Sequence, residues 1–206
     1  MSLKWTCCLV VLGVMLSTTS RAQEDKSYLR IRLTQASALL AEKAEKSKYL
    51  EGTTEVDMTT VIGGLMLSYG TYGVGQSTLN TSIDAGSVQH TLTSKWQEGA
   101  FIFGVTRTTT LTLGGGLLSE GKGTVTYSGT EYTSTSVSGN SWFALFGLEY
   151  VLPLTIDFIP LEYVEVLVGY RENLLKYGGY QSGSTTLDTT VKVKSVQTLL
   201  GFGAVF

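Results

Sequence analysis

Apolar side chains recur at every second position through much of this chain. In Val191–Phe206, VKVKSVQTLLGFGAVF, one face carries Phe206, Ala204, Phe202, Leu200, Thr198 and Val196. The other carries Val205, Gly203, Gly201, Leu199, Gln197 and Ser195. Thr59–Thr71 sets Val61, Leu65, Leu67 and Tyr69 against Gly64, Met66, Ser68 and Gly70. Trp96–Thr106 sets Phe101, Phe103 and Val105 against Glu98, Ala100 and Gly104. Trp142–Tyr150 and Leu161–Arg171 repeat the pattern, with Glu149, Glu165 and Arg171 on the smaller, mixed faces. A period of two predicts strands with one apolar face. Spanning strands are predicted at 56–72, 92–107, 109–127, 140–151, 160–172 and 190–206. Segments of roughly nine to thirteen residues suit tilted strands that cross a bilayer, whereas strands of soluble sheets are commonly about five or six. Weaker alternation at 77–84 and 87–95 adds two strands, because only closure leaves no unpaired edge in lipid. The expected fold is all-β: a closed antiparallel transmembrane β-barrel of eight strands with an N-terminal helix. An amphipathic soluble sandwich is the competing architecture.

The helix is predicted at Tyr28–Lys48, where Leu33, Ala36, Leu40 and Ala44 make one stripe and Glu42–Lys46 a favourable four-residue pair. It is expected to lie outside the wall, as a periplasmic or barrel-capping element. Residues 73–95, 128–141 and 173–190 are polar and are expected to be long loops, while Arg107-Thr108-Thr109 is a short link. Long loops outside and short turns inside match membrane barrels and would put the termini in the periplasm.

Composition supports export. Lys4 followed by the apolar run Cys7–Leu16 and then Ser20-Arg21-Ala22 reads as a cleaved signal peptide over residues 1–22. Both cysteines fall within it, so no disulfide or thiolate chemistry is expected in the mature chain. Residues 23–52 form a polar and helical segment, and 53–206 the barrel. No later apolar run is long enough for a transmembrane helix. The chain has 24 glycines, 11 tyrosines and 2 prolines, and its net charge of −2 offers no basic field for nucleic acid. Trp96, Trp142, Tyr150, Tyr163, Tyr170, Tyr69 and Tyr72 fall near predicted strand ends, where aromatic rings favour a membrane interface.

Candidate chemistry is sparse. Glu98, Glu149, Glu165 and Arg171 share the glycine-rich faces and are expected to form an ion network inside the barrel, since an unpaired buried charge is costly. Lining a pore is the functional alternative for them. The single histidine, His90, lies near Ser82, Ser87, Ser94 and Asp84, but no serine-and-base pattern accompanies it, so a surface position is expected. One histidine and no mature cysteine make no soft metal site. Asp84, Glu131 and Asp188 are the acids available for calcium in the expected loops. Gly114-Gly115-Gly116 lies inside a strand and reads as close packing, not as a phosphate cradle. No cofactor and no catalytic group are expected.

The signal, the repeated amphipathic strands and the terminal LLGFGAVF together resemble the small outer-membrane β-barrels of Gram-negative bacteria, the OmpA-like, OmpX-like and OmpW-like group. The resemblance covers residues 56–206 and resolves no single family. It implies outer-membrane lipids, periplasmic chaperones and the barrel-assembly machinery as partners. It also implies that Phe202, Ala204 and Phe206 serve as the assembly signal. The function it implies is a structural or surface-interaction role, with an extracellular ligand met through the loops. A narrow channel for small solutes and a lipid-modifying enzyme are the alternatives. The apolar Leu145, Leu167 and Leu199 on the inner faces argue against a wide pore.

Overall fold

The computed structural model describes residues 28–45, 57–84, 88–151 and 161–206. Residues 1–27, which include the expected signal peptide, and residues 46–56 lie outside the described residues. Eight antiparallel strands close into one barrel: β1 (Leu29–Glu45), β2 (Asp57–Tyr69), β3 (Tyr72–Asp84), β4 (Val88–Thr106), β5 (Thr109–Tyr127), β6 (Thr130–Val151), β7 (Tyr163–Ser182) and β8 (Thr185–Val205). Each strand pairs with the next in the chain, and β1 pairs with β8 to close the wall. At that seam Phe206 N–H donates to the Leu29 carbonyl at 2.8 Å, and Leu29 N–H donates to the Phe206 carbonyl at 3.1 Å.

The expected helix is a strand, and among the described residues there is no helix. Leu29, Ile31 and Leu33 face outward and exposed, while Arg30 and Arg32 are buried inside, a strict period of two. Further along, β1 carries register shifts against β8 between Ala36 and Ala38 and between Leu39 and Ala41. Each extra residue interrupts a strict period of two along the strand.

The expected long loops are also strands. Residues 73–84 belong to β3, and 88–95 are the start of β4 and not a separate strand. Residues 130–141 begin β6, and 173–182 with 185–190 form the β7–β8 hairpin. Two of the turns joining them are tight. Ser128 and Gly129 connect β5 to β6 with φ of 49° and 76°, the left-handed pair that suits a two-residue hairpin. Gly183 opens the β7–β8 turn at φ 58°. These two connections lie at the end of the barrel away from Leu29 and Phe206, here called the distal end.

The outer wall carries an apolar belt around the proximal half. Leu33, Leu65, Leu67, Val74, Phe101, Phe146, Leu148, Val168, Leu200 and Phe202 are all exposed there. From Trp142 to Tyr150, strand rise and a typical tilt give a belt about 20 Å tall, close to the apolar band of membrane barrels. Tyr69, Tyr72 and Tyr150 edge the belt proximally. At its distal edge Trp142 packs edge-on against Tyr170, with centroids 4.7 Å apart. Trp96, read from the sequence as an interface residue, instead points inward and is 1% exposed.

Candidate functional site: the filled barrel interior

Three arginine–glutamate pairs occupy the proximal lumen. Arg30 Nη2 lies 3.1 Å from Glu149 Oε1. Arg32 grips Glu165 with two bonds, Nη2 to Oε1 at 2.6 Å and Nε to Oε2 at 2.7 Å. Thr110 donates its hydroxyl to the same Oε1 at 2.6 Å, and Arg32 Nη1 donates to Thr112 Oγ1 at 2.7 Å. Arg171 binds Glu98, with further bonds to Ser77 and Ser141 at 2.9 Å each and to Asn173 at 2.7 Å. Asn173 passes the chain on to Ser195 at 3.2 Å. Such charge-assisted, forked bonds are what a buried guanidinium requires.

Glycine makes the room. A side chain at Gly147 would collide with the Glu165 carboxylate, and one at Gly114 with the Phe143 ring. Phe143 and Trp96 flank Arg171, with ring centroids 5.9 and 5.6 Å from its guanidinium carbon. Between these layers lies a void of about 10 Å³, bordered by Arg32, Glu98, Phe143 and Arg171. That is about the least space one water needs.

The four charged residues singled out from sequence thus all lie inside the wall, but in separate pairs. Arg171 meets Glu98 alone; Glu149 and Glu165 are held by Arg30 and Arg32. Sequence reasoning missed those two arginines because it assigned them to a helix. The alternation Leu29-Arg30-Ile31-Arg32-Leu33 carried the signal that would have found them.

Beyond Trp96 the lumen changes character. Ile62, Leu79, Ile83, Val88, Leu92, Val125, Tyr177, Tyr180, Val191 and Val193 form a buried apolar core. His90 sits in it, fully buried and not at the surface, and neither ring nitrogen has a hydrogen-bond partner. Burial holds its pKa down to about 4. Ser82 and Asp84 face outward from the neighbouring strand, so the wall separates them from the imidazole. Among the described residues no group of three or more histidine, cysteine, aspartate or glutamate side chains is placed to hold a metal. Asp84 and Glu131 stand exposed in strands.

A closed barrel with an apolar outer belt, aromatic edges and a charge-paired interior is the architecture of a small transmembrane β-barrel. The sequence matches no known family profile and no curated protein. Solved structures similar to it include Neisserial surface protein A, at 15% identity and a TM-score of 0.47, covering 87% of this chain and 97% of that one. The outer-membrane protein OprG from Pseudomonas aeruginosa matches at 13% identity and 0.47, covering 90% and 98%. The attachment invasion locus protein Ail of Yersinia pestis matches at 17% and 0.41, covering 89% and 100%. No single family is resolved.

Proposed function

We propose that the chain is an integral outer-membrane barrel with a structural or surface-interaction role. In this reading the termini face the periplasm and the distal half stands clear of the membrane outside the cell. Phe202, Ala204 and Phe206, on the closing strand, act as the signal to the assembly machinery. The observation that carries the role is the filled lumen: ion layers below, separated by a void of about 10 Å³, and an apolar core above. An eight-stranded barrel has room for little more than its own side chains. Among the described residues, what the protein offers a partner is therefore its outer wall and the two tight distal turns at Ser128-Gly129 and Gly183-Ser184. Planar bilayers containing the purified mature protein should show negligible conductance. Reproducible single-channel steps would establish the narrow-channel alternative instead.

A further inference from the structure

The distal wall is not laced evenly. Between β5 and β6 the ladder stops at Leu117↔Asn140 and resumes at Thr124↔Thr133. In between, Leu118–Gly123 keeps its ladder to β4 and Ser134–Gly139 its ladder to β7, but the two stretches do not pair with each other. Side chains stand in for the missing bonds. Gly123 N–H donates to Ser134 Oγ at 2.8 Å. Val137 lies over Gly121, where an added side chain would collide with it, and Gly121 is still exposed. This seam is closed by packing and a side-chain bond.

His90 lies directly behind the end of the seam. It is the cross-strand partner of Val125, and Leu92, next on the same face, is the partner of Gly123. The imidazole is fully buried and neither nitrogen has a partner. The Tyr180 hydroxyl, which borders Gly123, is also buried without one. The inward-facing groups of this core are apolar or aromatic: Ile83 on β3, Val125 on β5, Tyr177 and Tyr180 on β7, and Val191 on β8. Among the described side chains the titratable ones here, besides His90, are the two tyrosines, and no carboxylate is present to balance an imidazolium. A buried charge without a partner is costly and draws in water.

We propose that protonation of His90 opens the β5–β6 seam, making the distal wall an acid-responsive lid over the apolar core. The charged ring finds no partner in the closed core. Water reaches it most directly where the wall has no ladder bonds to break. Opening parts Val137 from Gly121 and releases the Gly123–Ser134 bond. The sign follows from burial. In the closed core the imidazole is held down to about 4, and once wet it returns toward its ordinary value near 6.5. Acid therefore favours the open form, whose population relative to the closed form rises about a hundredfold between about pH 7.5 and about pH 4. Of the membrane reading above, the proposal uses the placing of the distal half in water.

Trp96 is the reporter. It is 1% exposed, is the partner of Leu118 and borders Gly139 across the seam. In the chain from residue 23 onward, Trp142→Phe leaves it as the single tryptophan. The test inserts that variant into phosphatidylcholine vesicles, checks insertion by heat-modifiable gel migration, and measures acrylamide quenching of Trp96 at neutral and acid pH. Quenching should rise several-fold in acid. Adding His90→Leu, or His90→Gln in case leucine packs badly, should abolish the rise, although every carboxylate of the ion layers still meets the same acid. Hydrogen exchange in acid should show protection lost first at Thr124–Tyr127 and Thr130–Thr133, the ladder beyond the seam, with the β6–β7 ladder retained. No rise in quenching, an equal rise in both His90 variants, or simultaneous loss of the β6–β7 ladder would overturn the proposal alone. Failure of the chain to insert would overturn the membrane reading and the proposal with it.

Discussion

The two halves of this barrel are built inside out relative to each other. In the proximal half the outer wall is apolar and the interior sets paired ions among apolar side chains such as Met66, Phe143, Leu145 and Leu167; in the distal half the outer wall is polar and the interior mainly apolar. β4 shows the inversion within one strand. Its outward residues run Gln89, Thr91, Thr93, Lys95 and Gln97, then change to Gly99, Phe101 and Phe103. Its inward residues run Val88, His90, Leu92, Ser94 and Trp96, then Glu98, Ala100 and Ile102. From Val88 to Phe103 the alternation holds; the outward phase turns from polar to apolar past Gln97, while the inward phase takes in the Glu98 carboxylate. The comparison teaches that the surrounding solvent, not the strand, sets which phase is apolar. Where lipid covers the outside, the inside is free to hold paired ions. Where water covers it, the wall needs a buried apolar core, as a soluble sheet does.

The contrast can be broken from either side. The largest effect is expected inside the proximal half. Glu165→Gln leaves the wholly buried Arg32 guanidinium without its charge partner and should cost about 3–5 kcal/mol in reversible urea unfolding from vesicles. Arg32→Met with Glu165→Leu should recover much of that loss, because an apolar pair of similar size leaves no orphaned charge. In the distal half, Leu92→Ala should cost about 2–4 kcal/mol by opening a cavity. Hydrogen exchange should show its weakening concentrated at the distal hairpins, with the ion layers still protected.

Acid sharpens the contrast next. His90 is neutral in the folded core, with its pKa lowered to about 4 from an ordinary value near 6.5. The unfolded chain therefore binds the extra proton first as pH falls. Its contribution to stability is complete above about pH 6.5, declines as pH drops toward 4 and levels off below that, a loss of roughly 3 kcal/mol at most. His90→Leu should flatten that part of the pH profile. The smallest effect belongs to the water-facing distal wall, where Gln89→Ser should stay within about 0.5 kcal/mol in the same urea assay.

The same inversion explains what the sequence could and could not tell. The proximal faces were legible because lipid-facing residues such as Leu65, Leu67, Phe101 and Phe202 stand out against glycine, serine and threonine. The distal strands were fainter, because their apolar residues face inward and their outward ones are polar. Leu79, Thr81 and Ile83 alternate regularly enough to predict a strand at 77–84, which is part of β3, but the polar Asn80, Ser82 and Asp84 also gave the stretch the composition of a loop. β1 was hidden for another reason: two register shifts against β8 interrupt its period of two, and the stretch is rich in alanine, glutamate and lysine. The interior glutamates could be placed by their faces. Their true partners Arg30 and Arg32 became visible only once β1 joined the wall, since pairing is a property of the closed barrel and not of any one strand.

The inversion itself is tested most directly by asking which part of the outer wall touches lipid. Phe101→Cys and Gln89→Cys, both outward on β4, can be labelled with one environment-sensitive fluorophore, each in a chain with no other cysteine, and read in vesicles carrying nitroxide-labelled acyl chains. The account predicts strong lipid quenching and a blue-shifted spectrum at Phe101→Cys. It predicts a water-like spectrum at Gln89→Cys, accessible to a soluble quencher. Comparable quenching by lipid at both positions, or water access at Phe101→Cys, would contradict it.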